Sequence, residues 1–184
     1  MTKARTLADF NTTSIDPALL DDTGTIPSAL LAGVGGGKVL QVVSAETTST
    51  TTTTNANLQD TALALNITPS SADSKIFIQI MPNLLAQSSN SGEAGLGFGI
   101  SREIDGANNT AVFETAQPYE GLFVSTGGAS FNEVKCSPNV FHLDEPSTTG
   151  VCRYKFRIKA YNGITAKFSD DSAKSTMIAF EIAA

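Results

Sequence analysis

The strongest constraint on this chain is an alternation of apolar and polar residues that begins at Val39 and recurs almost to the last residue. TALALNITP sets Leu63, Leu65 and Ile67 against Ala62, Ala64 and Asn66. KIFIQIMP puts Ile76, Ile78 and Ile80 on one face before Pro82 stops it. CRYKFRIKAY alternates Cys152, Tyr154, Phe156, Ile158 and Ala160 with Arg153, Lys155, Arg157 and Lys159. A period of two is that of a strand with one buried side, and apolar-in, polar-out alternation marks antiparallel pairing. KVLQVV, GLGFGISREI, AVFETA, GLFVST, NVFHL, TAKFS and TMIAFEIA are further short runs, divided by turn clusters such as PSSADS, SSNSGE, DGANN and PSTTG. About nine or ten short strands at this spacing predict an all-β, antiparallel two-sheet sandwich, jelly-roll-like in topology. In GLGFGISREI the face opposite Leu96, Phe98 and Ile100 holds Gly95, Gly97 and Gly99. A bare glycine face predicts that another backbone or side chain lies close against it.

Composition agrees with this fold and narrows the partners. The chain has 184 residues, enough for one domain with an arm, and its 41% apolar content can fill a core. Only 16% of residues are charged, with Thr, Ser, Asn, Ala and Gly in their place. A net charge of −6 disfavours nucleic acid and anionic membranes, which need clustered Lys and Arg. The densest basic stretch, Arg153 to Lys159, is expected to be one solvated strand face. No run approaches the roughly 18 apolar residues of a membrane span, so no membrane insertion is expected. MTKARTLADF lacks the apolar segment of a secretion signal, so the protein is expected to be made, and to stay soluble, in a cytoplasm.

Residues 1–37 differ from 38–184, and the two are read as an N-terminal arm and a β-domain. IDPALLDD and IPSALLAG each place Pro at a first helical position ahead of Ala and Leu, and Ser14 or Asp16 could cap the first. One or two helical turns are unstable alone in water. Leu7, Phe10, Ile15, Leu19, Leu20, Ile26, Leu30 and Leu31 are therefore read as the docking residues of an extended arm, followed by a glycine hinge at 33–37. Thr47 to Thr54 is eight Thr and Ser residues in a row, read as a strand extension or an exposed loop.

Chemistry-bearing motifs are scarce. Gly33 and Gly37 enclose only three residues, and Val39 rather than Ser or Thr follows Lys38, so the phosphate-loop pattern fails. Gly95-Leu96-Gly97-Phe98-Gly99-Ile100 lacks the final glycine of a dinucleotide fingerprint. His142 is the single histidine, which excludes a multi-histidine metal site, and it is read as a strand residue with an ordinary hydrogen bond. No Gly-x-Ser-x-Gly marks a nucleophile. Asp21-Asp22, Asp144-Glu145 and Asp170-Asp171 are read as solvated turn carboxylates. No cofactor or metal is expected. Cys136 and Cys152 could form a disulfide if their flanking strands are neighbours; buried free thiols fit the sequence equally well. Tyr119, Phe123, Phe131, Phe141 and Tyr161 are candidate platforms for a sugar, with core burial the plainer reading of each Phe.

GKVLQVVSAETTSTTTTT followed by LALNITPSSADSKIFIQI resembles a module common in tailed-phage fibre and virion structural proteins, especially those of marine and cyanobacterial phages. That module opens on a Gly-Lys-Val-Leu-Gln-Val phrase and a Thr/Ser-rich segment, then runs through Ile-Thr-Pro-Ser-Ser and Ser-Lys-Ile. GFGISREIDG is similar to its middle strand and turn, and STMIAFEIA to its closing strand. KARTLADF and GTIPSALLAG look like segments upstream of it. The likeness is clearest over 37–81 and least over 104–150. It implies a virion component, not an enzyme, with no catalytic residue to carry over. It also implies a homotrimer, an arm that grips capsid or tail, and a β-domain shown outward as a short tail fibre or head decoration. A host-surface glycan is a further implied partner, and the alternative is a carbohydrate-binding, lectin-like sandwich. Glycine- and alanine-faced strands are expected to pack between subunits.

Overall fold

The computed structural model describes residues 38–89, 92–125 and 132–184. The proposed arm residues, the glycine hinge, Asp21-Asp22 and Phe131 lie outside them. The described residues form thirteen strands: β1 (Val39–Thr47), β2 (Thr51–Thr53), β3 (Gln59–Ile67), β4 (Lys75–Met81), β5 (Leu84–Ser88), β6 (Glu93–Ile104), β7 (Ala107–Glu114), β8 (Leu122–Ser125), β9 (Asn132–Cys136), β10 (Val140–Asp144), β11 (Cys152–Ala160), β12 (Thr165–Phe168) and β13 (Ser175–Ile182). Every pairing among them is antiparallel.

Hydrogen bonding gives the orders β1-β13-β4-β10, β2-β12-β5-β9 and β3-β11-β6-β7, with β8 also on β6. The first two orders match strand for strand, because β1 leads into β2, β4 into β5, β9 into β10 and β12 into β13. They are one four-stranded sheet creased across its middle. Pro82 and Pro138 interrupt two of its long strands, since proline cannot donate to a ladder. The crease is closed by side chains instead. Ser175 Oγ accepts from Asn83 N at 2.9 Å and meets Ser169 Oγ at 2.8 Å, and Thr50 Oγ1 donates to Ser169 O at 2.7 Å. Ser169 and Ser175 are buried for this reason. In chain order the creased sheet holds the first, eighth, third and sixth long strands, and the other sheet the second, seventh, fourth and fifth. That is the eight-strand jelly roll.

Between the sheets lie the side chains that the alternation pointed inward. Leu63, Ile67, Ile76, Ile78, Ile80, Leu96, Ile100, Phe156, Ile158 and Phe168 are all fully buried. Burial of each such side chain is worth about 1.5–3 kcal/mol. β5 and β9 were not read from the sequence. LLAQS is covered on both faces, with Leu84 and Leu85 both buried, so there is no alternation to detect. The threonine run ends β1, crosses the crease at Thr48–Thr50 and resumes as β2.

The structure decides between the two readings of the cysteines. Cys136 and Cys152 are free thiols. Cys136 pairs with Leu84 in the creased sheet, whereas Cys152 lies between Ile67 and Ile104 in the other. The flanking strands are not neighbours, which was the condition for a bridge.

Candidate functional site

The buried polar groups are structural ties. Asp144, at the end of β10, points into the sandwich and accepts from Arg102 of β6 at 2.5 Å and from the Tyr154 hydroxyl of β11 at 2.6 Å. This carboxylate therefore joins the two sheets. Burial, then the Asp144 hydrogen bond, drives the Tyr154 phenol far above its ordinary range. His142 lies against the Phe113 ring, with centroids 6.1 Å apart, and Asp144 is already committed elsewhere. Among the described residues the other paired carboxylates are also engaged. Glu145 meets Lys75 at 2.7 Å, and Asp170 meets Lys167 at 3.0 Å and Lys135 at 3.4 Å. Among the described residues no group of three His, Cys, Asp or Glu side chains is placed to hold a metal ion.

The outer face of the uncreased sheet carries the basic stretch, and it is not simply solvated. Asp60 of β3 meets Arg157 at 2.7 Å and Lys155 at 3.0 Å, while Glu103 of β6 meets Lys155 at 2.5 Å and Arg153 at 3.7 Å. Lys159 is buried, bonded to Glu114 at 2.8 Å and to the Thr115 carbonyl at 2.7 Å. Strand pairing sets these opposite charges side by side, so the row is an internal ladder of ion pairs.

The glycine stripe of β6 lies on the same face. A Cβ on Gly97 would come within 2.5 Å of Thr115 Oγ1, and one on Gly95 within 2.9 Å of Phe123 Cδ2 and 3.1 Å of Tyr119 Cβ. The close approach expected there is made by the chain's own 115–123 segment, so these glycines are not available to a neighbouring subunit. Over Gly95 three of the five candidate aromatics come together. Tyr161 meets Tyr119 and Phe123 edge-on at 5.2 and 5.9 Å, and Tyr119 and Phe123 are 40% and 44% exposed. The Tyr161 hydroxyl donates to Glu93 at 3.2 Å, and that carboxylate pushes the phenol's pKa up. Phe141 is elsewhere, on the creased sheet.

Next to Tyr161 in sequence, Asn162 and Gly163 turn the chain with φ of 48° and 74°. This turn lines a pocket of about 380 Å³ together with Gln87, Ser88, Ser89, Ile164 and Thr165. Its lining offers amides and hydroxyls. Sequence reasoning missed it, although the Asn-Gly pair is a readable signal for a tight turn. Half-exposed rings beside such groups can stack on a neutral sugar and hydrogen-bond its hydroxyls.

No family model and no curated protein sequence matches the chain. Among solved structures it is similar to a chain in the structure of infectious bursal disease virus Gt strain, at 11% identity and a TM-score of 0.31, over 80% of this chain and 39% of that one. It is also similar to the infectious bursal disease virus VP2 subviral particle, at 13% identity and a TM-score of 0.31, over 78% and 38% of the two chains. The chain thus spans about two fifths of the length of those structures. At these scores the likeness carries no argument about function, and the jelly-roll assignment rests on the strand pairings above.

Proposed function

We propose that this protein is a structural component of a virus particle. In this reading it stands on the particle surface as a short tail fibre or head decoration, assembles as a homotrimer, and is anchored to capsid or tail through residues 1–37. One observation carries the reading. Two of the sequence stretches that resemble the phage module, 37–81 and 175–183, are far apart in the chain yet meet in the fold: β1 pairs with β13, and β13 pairs with β4. The opening and closing strands of the resemblance are thus neighbours in one sheet. Mass spectrometry of purified particles, with immunogold labelling, tests it. The chain is expected at a defined capsid or tail position, and deleting residues 1–37 should abolish incorporation while the β-domain stays folded. Absence from purified particles would overturn it.

The Tyr119–Phe123–Tyr161 cluster, with Tyr161 next in sequence to a turn that lines a pocket of amides and hydroxyls, favours a second reading in which the same sandwich binds a host-surface glycan. A glycan array tests it, with Tyr119→Ala expected to lose any signal seen for the wild type.

A further inference from the structure

The outer face of the β1-β13-β4-β10 half of the creased sheet carries apolar side chains that no contact among the described residues buries. Register sets Val42 beside Phe180, Phe180 beside Phe77, and Phe77 beside Leu143. An unbroken apolar row therefore crosses all four strands on the side away from the core. Phe141 extends it, its ring stacked on Phe77 at 6.2 Å, and Met81 lies further along β4. Val42, Phe141, Leu143 and Met81 are 56%, 55%, 47% and 42% exposed. Apolar residues scattered singly on a surface are ordinary, whereas a contiguous apolar row across a sheet face is the pattern of a surface that meets a partner.

Shape and charge choose the occupant. Four strands about 4.8 Å apart, each contributing about seven residues at about 3.3 Å, give a flat footprint on the order of 450 Å² before side-chain relief. That footprint, polar positions such as Ser44, Thr176 and Gln79 included, is about half of the roughly 800 Å² per partner of a standard interface. The margin holds Lys75–Glu145 at 2.7 Å and Lys174–Glu46 at 2.8 Å, two ion pairs closed within the chain. The exposed centre of this face is apolar and offers no cluster of charges to an ionic partner. A pleated apolar surface is complemented by another pleated sheet of the same kind, as in the packed layers of a sandwich.

We infer that this face is the contact with a second copy of this chain. Three copies would turn their apolar rows toward a common axis. The inference rests on the reading of the protein as a self-assembling virion component, and it locates the subunit contact on the creased sheet.

Light scattering on the full-length chain after size exclusion, at micromolar concentration, tests it. The wild type is expected at trimer mass. Phe141→Glu and, separately, Val42→Glu are expected at monomer mass, each with an unchanged circular dichroism spectrum and a dissociation constant raised about a hundredfold or more. Val42 lies on an edge strand, so that variant keeps the test decisive if Phe141→Glu fails to fold. A monomeric wild type would overturn the inference, and so would folded variants that keep the assembled mass. A dimer lost in both variants would uphold the face and overturn the trimer. Detection of the chain in purified particles judges the virion reading independently of all these results.

Discussion

The sandwich has two outer faces, and the same strand alternation builds them in opposite ways. On the uncreased sheet the outward positions hold Arg153, Lys155, Arg157 and Lys159 on β11, and Gly95, Gly97 and Gly99 on β6. Neighbouring strands answer the charges with Asp60, Glu103 and Glu114; the 115–123 segment covers Gly95 and Gly97, and Leu58 and Phe113 crowd Gly99. On the creased sheet the outward positions hold Val42, Phe180, Phe77 and Leu143, and nothing among the described residues covers them. The first face is finished within one chain, whereas the second has the composition of a surface waiting for a partner. Strand alternation decides which side of a sheet a residue occupies, and tertiary pairing decides whether that side is satisfied.

The largest change should come from untying both sheets at once. Asp144→Ala leaves the buried Arg102 guanidinium without its carboxylate and is expected to cost about 3–5 kcal/mol in urea denaturation. A loss as small as that of a surface substitution would show that the two sheets do not depend on this link. Acid should next single out the creased sheet. Glu181 is buried on β13 beneath the apolar face. Burial alone would raise its pKa, but bonds from Ser70 N at 2.7 Å, Ser70 Oγ at 2.6 Å and Gln41 Nε2 at 2.6 Å outweigh that and hold it down at about 2, against an ordinary 4.5. A depressed folded pKa contributes stability that is complete above pH 4.5 and is lost as pH falls toward 2. The shift is worth about 3 kcal/mol. Glu181→Gln should flatten the stability profile in that window; a residual slope remains from Asp60 and Asp170, whose pKa values are also lowered.

Gly97→Ala tests the covered face, because its Cβ would meet Thr115 Oγ1 at 2.5 Å and the Gln117 carbonyl at 2.9 Å. A cost of about 1–3 kcal/mol is expected in thermal or chemical unfolding. The smallest effects sharpen the contrast. Arg153→Ala, half exposed and 3.7 Å from Glu103, should change stability by no more than about 0.5 kcal/mol. Phe141→Ser should be as mild for the folding of a single chain, at most about 0.5 kcal/mol, while disturbing assembly. Equal costs for Gly97→Ala and Phe141→Ser in monomer stability would erase the distinction between the faces.

Much of the fold was legible because burial on one side leaves a period of two. β3, β4 and β11 have their inward residues where Leu63, Ile78 and Phe156 pointed. β5 was hidden because Leu84 and Leu85 are both buried, and β9 because NEVKC is short and carries little apolar pattern. The candidate sugar surface was half legible. Tyr119, Phe123 and Tyr161 were named as aromatics, but only folding brings position 161 beside 119 and 123, and the neighbouring pocket is assembled from β5 and a turn far from it in the chain.

By itself, then, the sequence determined the all-β class, the inward side of each regular strand and the absence of room over Gly95, Gly97 and Gly99. Each of these is a local property of alternation or of a missing side chain. Tertiary structure alone decided that two cysteines sixteen positions apart would lie in different sheets, that the basic strand would be neutralised by its neighbours, and that four outward apolar residues would join into one row. Those outcomes depend on which strands become neighbours, and pairing between strands distant in the chain is set by the packing of the whole core.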